Sequence, residues 1–188
     1  MGKVLVASIG ELDVREILGR ELFSRLSVEM VSGAGQARRK LGGDTYSMLI
    51  INTPLEDEMG AELAIQAAER TTAGILVLVR QGVYAMAADK LEPYGVIVMP
   101  KPFNGEDARR ASRLLLATSA RLQGMKRATV KLKSQIDELK TVYRAKCVLM
   151  QYLGMTEEEA HKYIEKQAMD SRRSRFEVAL DVIRTYEN

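Results

Sequence analysis

Over residues 1–106 short apolar runs alternate with amphipathic stretches. Residues 3–7 (KVLVA), 28–31 (VEMV), 47–52 (SMLIIN), 74–79 (GILVLV) and 95–99 (GVIVM) read as five strands. Three of the runs are almost continuously apolar, the pattern of strands covered on both faces of a parallel sheet. Helical patterns lie between them at residues 11–23, 35–41, 59–69 and 84–91. In the first, Val14, Ile17, Leu18 and Leu22 fall at helical spacing. Strand–helix alternation of this kind predicts a five-stranded α/β domain of flavodoxin-like order, with any site at the carboxyl ends of the strands.

The texture changes beyond Gly105, where neither a proline nor a β-like run occurs. Leu115, Thr118, Leu122, Met125, Thr129, Leu132, Ile136, Leu139 and Tyr143 alternate at spacings of three and four. This is the seam of a coiled coil. The competing account is one long helix packed on its own domain, but a seam sustained over about four heptads favours a second helix, hence a parallel homodimer. The residues expected to carry it are Leu115, Leu122, Met125, Leu132, Ile136 and Leu139.

Strong punctuation follows. Gly154 suits a helix C-terminus, and Thr156 with Glu159 and Ser174 with Glu177 make two capping boxes. A three-helix bundle is expected, with Leu149, Met150, Ala160 and Ala168 as packing residues and Tyr163 on an apolar stripe. The predicted organisation is therefore an α/β domain (1–106), a coiled-coil helix (107–140) and a small all-α bundle (141–188).

Charge sharpens the picture. Residues 1–106 carry 11 Lys and Arg against 14 Asp and Glu, whereas residues 107–188 carry 17 against 11. A basic C-terminal half suggests a polyanionic partner, against the plainer reading of a solvated helical surface. The lone His161 has no Cys or His at ligand spacing, and Cys147 reads as a small packing residue with no acid–base partners. No metal, cofactor or enzymatic activity is expected. No apolar run reaches membrane-spanning length, and the opening MGKVLVASIGE lacks the layout of a signal peptide, so the expected location is the cytoplasm.

At the strand ends stand Ser8 and Ile9, then Asn52, then Val79 and Arg80, then Lys101 between two prolines. With the "KPF" after the fifth strand, this domain resembles a response-regulator receiver. The resemblance implies an acidic pair after the first strand, an acceptor Asp after the third, Ser or Thr after the fourth and Lys after the fifth. Only Lys101 matches. Ser8 and Ile9 cannot supply the carboxylates magnesium needs, Asn52 is no nucleophile toward phosphorus, and Val79 has no hydroxyl. A pseudo-receiver without phosphotransfer is the expectation. Lys101 is left as a relic or as a donor to Asn52; the resemblance suggests a cis Lys101–Pro102 bond, but X–Pro bonds are mostly trans and the sequence alone does not decide between the isomers. Glu56, Asp57 and Glu58 read as solvated loop charge.

The stretches RAKCVLM, LGMTEEEA, QAMDSRR and EVALDVI, in that order, resemble the ANTAR domain, a module of transcription antitermination. The resemblance implies binding to a nascent mRNA leader folded as two hairpins, so that an overlapping terminator cannot form. Cys147 departs from the Ala-Lys-Gly of family sequences. Arg144, Lys146, Lys162, Lys166, Arg172, Arg173 and Arg175 are the candidate RNA-binding residues, with Tyr143, Tyr152 or Tyr163 available to stack on a base. The expected partners are RNA, a second copy of the chain and a regulatory protein acting on the pseudo-receiver. A DNA-binding regulator and a coiled-coil scaffold remain as alternatives.

Overall fold

The computed structural model describes residues 2–187. The chain divides into two compact units, Met1–Met125 and Lys126–Asn188.

In the first unit, β1 (Gly2–Ser8), β2 (Leu26–Val31), β3 (Met48–Asn52), β4 (Gly74–Arg80) and β5 (Ile97–Lys101) form a parallel sheet in the order β2-β1-β3-β4-β5. This is the flavodoxin-like order expected. Side chains alternate between faces along each strand. Leu5, Ala7, Leu49, Ile51 and Val77 therefore build one core with α3 (Ala34–Gly43), α4 (Ala61–Arg70) and α5 (Tyr84–Leu91). Val4, Val6, Ile50, Leu76 and Leu78 build the other, against α1 (Val14–Leu18), α2 (Arg20–Arg25) and the first turns of α6 (Gly105–Leu153).

Two expectations about the helices of this unit need correction. The helix over residues 11–23 is broken into α1 and α2 at Gly19, whose φ is +77°. That conformation is open to glycine and strained for other residues. A Cβ at Gly19 would also sit 3.0 Å from Arg109 Cδ, so the break lets α6 approach.

The second correction is Leu115. Assigned to the dimer seam, it is instead 4% exposed and packs in the head's own core. A Cβ at Gly74 would lie 2.6 Å from Leu115 Cβ, so the helix crosses the start of β4 where that strand has no side chain. Ala108 and Ser112 are buried on the same helix, and the Ser112 hydroxyl donates to Ile17 O at 3.2 Å. The helix up to Met125 thus belongs with the α/β unit, not with a separate connector starting at residue 107.

The second unit holds the rest of α6, then α7 (Glu157–Ser171) and α8 (Arg175–Tyr186). Its core is Ala145, Val148, Leu149, Ala160, Ile164, Ala168, Val178, Ala179 and Val182. Gly154, at φ +66°, follows the end of α6, and both capping boxes are formed. Met150 and Cys147 are exposed rather than packed; Tyr163 packs against the core.

Leu115→Ala should lower the stability of the α/β unit by about 2–5 kcal/mol, the range for truncating a buried leucine. Urea unfolding followed by circular dichroism measures this. Leu139→Ala, at a position 70% exposed, should leave the same transition in place.

Candidate functional site: receiver pocket and nucleic-acid interface

Strand register assembles the receiver pocket. Ser8 pairs with Asn52 across β1 and β3, and Arg80 pairs with Lys101 across β4 and β5. The Lys101 ammonium donates to Asn52 Oδ1 and to Thr53 O, both at 2.7 Å. Asn52 Nδ2 donates to Ser8 Oγ at 2.9 Å, and the Ser8 hydroxyl donates to Gly10 O at 2.8 Å. Lysine, amide and hydroxyl thus form one directed chain. Both ends of the Asn52 amide are used, so the side chain is fixed as a bridge. Val79 is buried, while Ile9 is exposed. Burial, and then repulsion from Arg80, holds Lys101 below the ordinary lysine range. No carboxylate pairs with Lys101 or Arg80 among the described residues, and these residues contain no cluster of His, Cys, Asp or Glu placed to hold a metal ion.

The acids of the loop after β3 are more than solvated charge, contrary to the sequence reading: each is also bonded to a neighbouring element. Asp57 accepts from the N–H groups of Ala34 (2.6 Å) and Gly35 (2.8 Å), at the start of α3. These bonds hold its carboxyl below the usual range. Glu58 pairs with Arg38 at 2.7 Å and accepts from Leu63 N–H, and Glu56 accepts from the Ser32 hydroxyl. The three acids fasten the loop to α3 and α4. Lys101–Pro102, whose isomer the sequence left open, is cis; Thr53–Pro54 is cis as well, which the sequence did not signal.

In the helical unit, five of the seven expected RNA-binding cations already face a carboxylate. Arg144 pairs with Glu187, Lys146 with Glu157 (2.6 Å), Lys162 with Glu158 (2.6 Å), Arg173 with Asp181 (2.6 Å) and Arg175 with Glu165 (3.3 Å). Lys166 and Arg172 are exposed and have no ion pair with another described residue. Arg172 caps α7 at φ +54°, so its backbone is fixed by the turn. Lys146 differs from the others. Its side chain is only 16% exposed, it lies over the Tyr143 ring at 5.7 Å, and its pair with Glu157 ties α6 to the start of α7. That is a structural tether. The other pairs are exposed and therefore weak, so a phosphate could displace their acids at small cost. Tyr143 and Tyr152 are open to solvent. The acid partners lie between 4 and 43 residues away in the chain, and only the i,i+4 pair Lys162–Glu158 was legible from spacing.

Residues 130–183 match the family model for the ANTAR domain. The chain carries an ANTAR domain. Among curated relatives, the transcriptional regulatory protein PdtaR of Mycobacterium tuberculosis is 26% identical over 191 residues, covering 97% of this chain and 90% of that protein. The aliphatic amidase regulator of Pseudomonas aeruginosa is 31% identical over 130 residues, 68% of this chain and 63% of that protein. Among solved structures, the response regulator StyR superposes with a TM-score of 0.64 at 17% identity, covering 98% of this chain and 99% of that one. The receiver domain of the response regulator TorR gives 0.50 at 17% identity, over 63% and 97%. At such identities these structures support the fold of the chain alone.

The capping glutamates give the helical unit a defined acid sensitivity. Hydrogen bonds from the backbone and side chain of Thr156 lower the Glu159 carboxyl below its ordinary 4.5, and those of Ser174 do the same for Glu177. A carboxyl lowered by folding contributes stability that is complete above the unfolded value and lost as pH falls through the folded one. Thermal midpoints of the bundle should therefore hold at and above about pH 5 and fall below pH 4.5. The Glu159→Gln/Glu177→Gln variant should show a flatter decline in circular dichroism melts.

Proposed function

We propose that the protein is a dimeric RNA-binding antiterminator. It holds hairpins in a nascent mRNA leader so that a competing terminator cannot form. The observation that carries this reading is the ANTAR match over a bundle whose surface cations are either unpaired or held by weak exposed pairs. Phosphate contacts by Lys166, Arg172 and the displaceable arginines would release counterions from the RNA and supply most of the affinity. Unpaired loop bases, unlike those in a duplex, are open to stacking and edge contacts.

The dimer is supported by the helix α6 stripe. Leu132, Ile136 and Leu139 are 59%, 51% and 70% exposed. Apolar residues at spacings of four and three, open to water, suit burial against the same stripe of a second copy. Two bundles in one dimer then match two hairpins.

The head works without phosphorylation in this reading. An amide stands at the acceptor position, and its oxygen is already taken by Lys101. Magnesium would meet Ser8 and Ile9 where it needs carboxylates. Input comes instead from a regulatory protein that docks on the head. Acting on nascent transcripts would require the regulator to be in the cytoplasm; among the described residues no helix is long and apolar enough to cross a membrane.

Acetyl phosphate with magnesium should leave the intact mass of the regulator unchanged, and a stable phosphoryl adduct would refute the pseudo-receiver reading. Separately, the full chain should retain two-hairpin RNAs from a pool with randomised loops, lose them as salt is raised, and ignore duplex DNA. Ile136→Asp should sediment as a monomer and bind the selected RNA more weakly. Preference for duplex DNA, or indifference to both nucleic acids, would sink the antiterminator reading.

A further inference from the structure

We infer that Tyr152 and Tyr186 form a platform on which an unpaired base of the bound RNA loop stacks; this rests on the RNA-binding reading above. The two rings lie 5.9 Å apart at an interplanar angle of 29°. Tyr152 stands one residue before the end of α6, and Tyr186 is the last residue of α8. Tyr186 is packed against the bundle core, whereas Tyr152 is 53% exposed. One ring is thus anchored and holds the other in place with much of its surface in water. A base arriving there meets a π-face that is already ordered, and a tyrosine has few torsions to freeze.

The hydroxyls point the same way. Neither the Tyr152 nor the Tyr186 hydroxyl hydrogen-bonds to another described residue, while the buried Tyr46 donates its hydroxyl to Glu29 at 2.9 Å. The two phenols keep their capacity for a base edge or a ribose 2′-hydroxyl. Beside the platform, Arg144 pairs with Glu187, the residue after Tyr186. A phosphate that takes Arg144 from Glu187 would bring its nucleotide next to the rings.

A second copy of the chain is a poor occupant. Leu132, Ile136, Leu139 and Tyr143 set a frame that continues to positions 146 and 150, so Tyr152 lies off the stripe. Tyr143 is a weaker candidate for stacking, because the Lys146 ammonium already sits over its ring. The family match stops at residue 183, before Tyr186, so the pair is not a feature the match itself carries.

The test begins with RNA selected by the wild-type chain from a pool of two-hairpin RNAs with randomised loops. Failure to select any RNA would sink the RNA-binding reading itself. With a selected RNA in hand, Tyr152→Leu should weaken binding roughly 10- to 100-fold, the loss of one base–aromatic stack. The salt dependence should keep its slope, since no phosphate contact is removed, whereas Arg172→Gln should reduce the slope by about one. The chain has no tryptophan, so Tyr152→Trp provides a single reporter. Its affinity should stay near wild type, and its indole emission should be quenched by the selected RNA but not by a fully paired duplex of the same stems. Undiminished binding by Tyr152→Leu, or indole emission that the bound selected RNA leaves unchanged, overturns the platform. If Tyr152→Leu does not fold, the Tyr152→Trp emission decides alone.

Discussion

One helix has to satisfy two cores. Helix α6 gives Ala108 and Leu115 to the α/β unit and Ala145, Val148 and Leu149 to the helical unit. Its first part is fixed by a close approach: β4 begins with a glycine because Leu115 occupies the space where a side chain would stand. Close-packed interiors tolerate little change of volume, so this single contact sets where the helix leaves the sheet. What remains between the two sets of buried residues is a stretch whose apolar side chains are largely exposed, Leu132, Ile136 and Leu139 among them. The residues open to a partner are those that neither core uses.

The receiver pocket shows how a charged site can be rebuilt from neutral parts. Receivers of the usual pattern balance the strand-end lysine against carboxylates. Here Lys101 is balanced by the carbonyl ends of Asn52 and Thr53, and the Asn52 amide passes the polarity on to Ser8. Burial first, and then the charge of Arg80, holds Lys101 below the ordinary lysine range, and neutral acceptors offset this less than carboxylates would. The acids that remain near the pocket serve other ends. Asp57 satisfies N–H groups at the start of α3 that no residue of that helix can bond, and Glu58 does so for Leu63 near the start of α4.

How much could be read in advance depended on the range of the interaction. Strands came from apolar runs, and the capping boxes came from residues three apart, because both are local patterns. The ties of Glu56, Asp57 and Glu58 span 5 to 24 residues or depend on which helix start folds beside the loop, so composition alone cast them as loop charge. Leu115 failed for a different reason. A heptad seam and an amphipathic helix on its own domain share nearly the same spacing, and only the cavity opposite Gly74 separates them. The break at Gly19 was likewise hidden within an otherwise good helical period. The cationic face of the bundle was visible as residues, but not as pairs, since Glu187 and Glu157 reach their partners from 43 and 11 residues away.

That pairing changes what a cationic surface means. Arginines already held by Asp181 and Glu165 must give up an acid before they meet a phosphate. The exchange is close to neutral for exposed pairs, yet it imposes direction: the incoming anion has to reproduce the geometry of the carboxylate it replaces. Counterions are released by the RNA and not by the protein, so the salt slope counts phosphate contacts whether or not their cations were paired beforehand. The intrinsic affinity, by contrast, carries the cost of every pair broken. A surface of mostly satisfied cations therefore binds bulk polyanion weakly and relies on shape and base stacking for the remainder. Under the proposed antiterminator function, such a division would favour selectivity among transcripts over raw attraction.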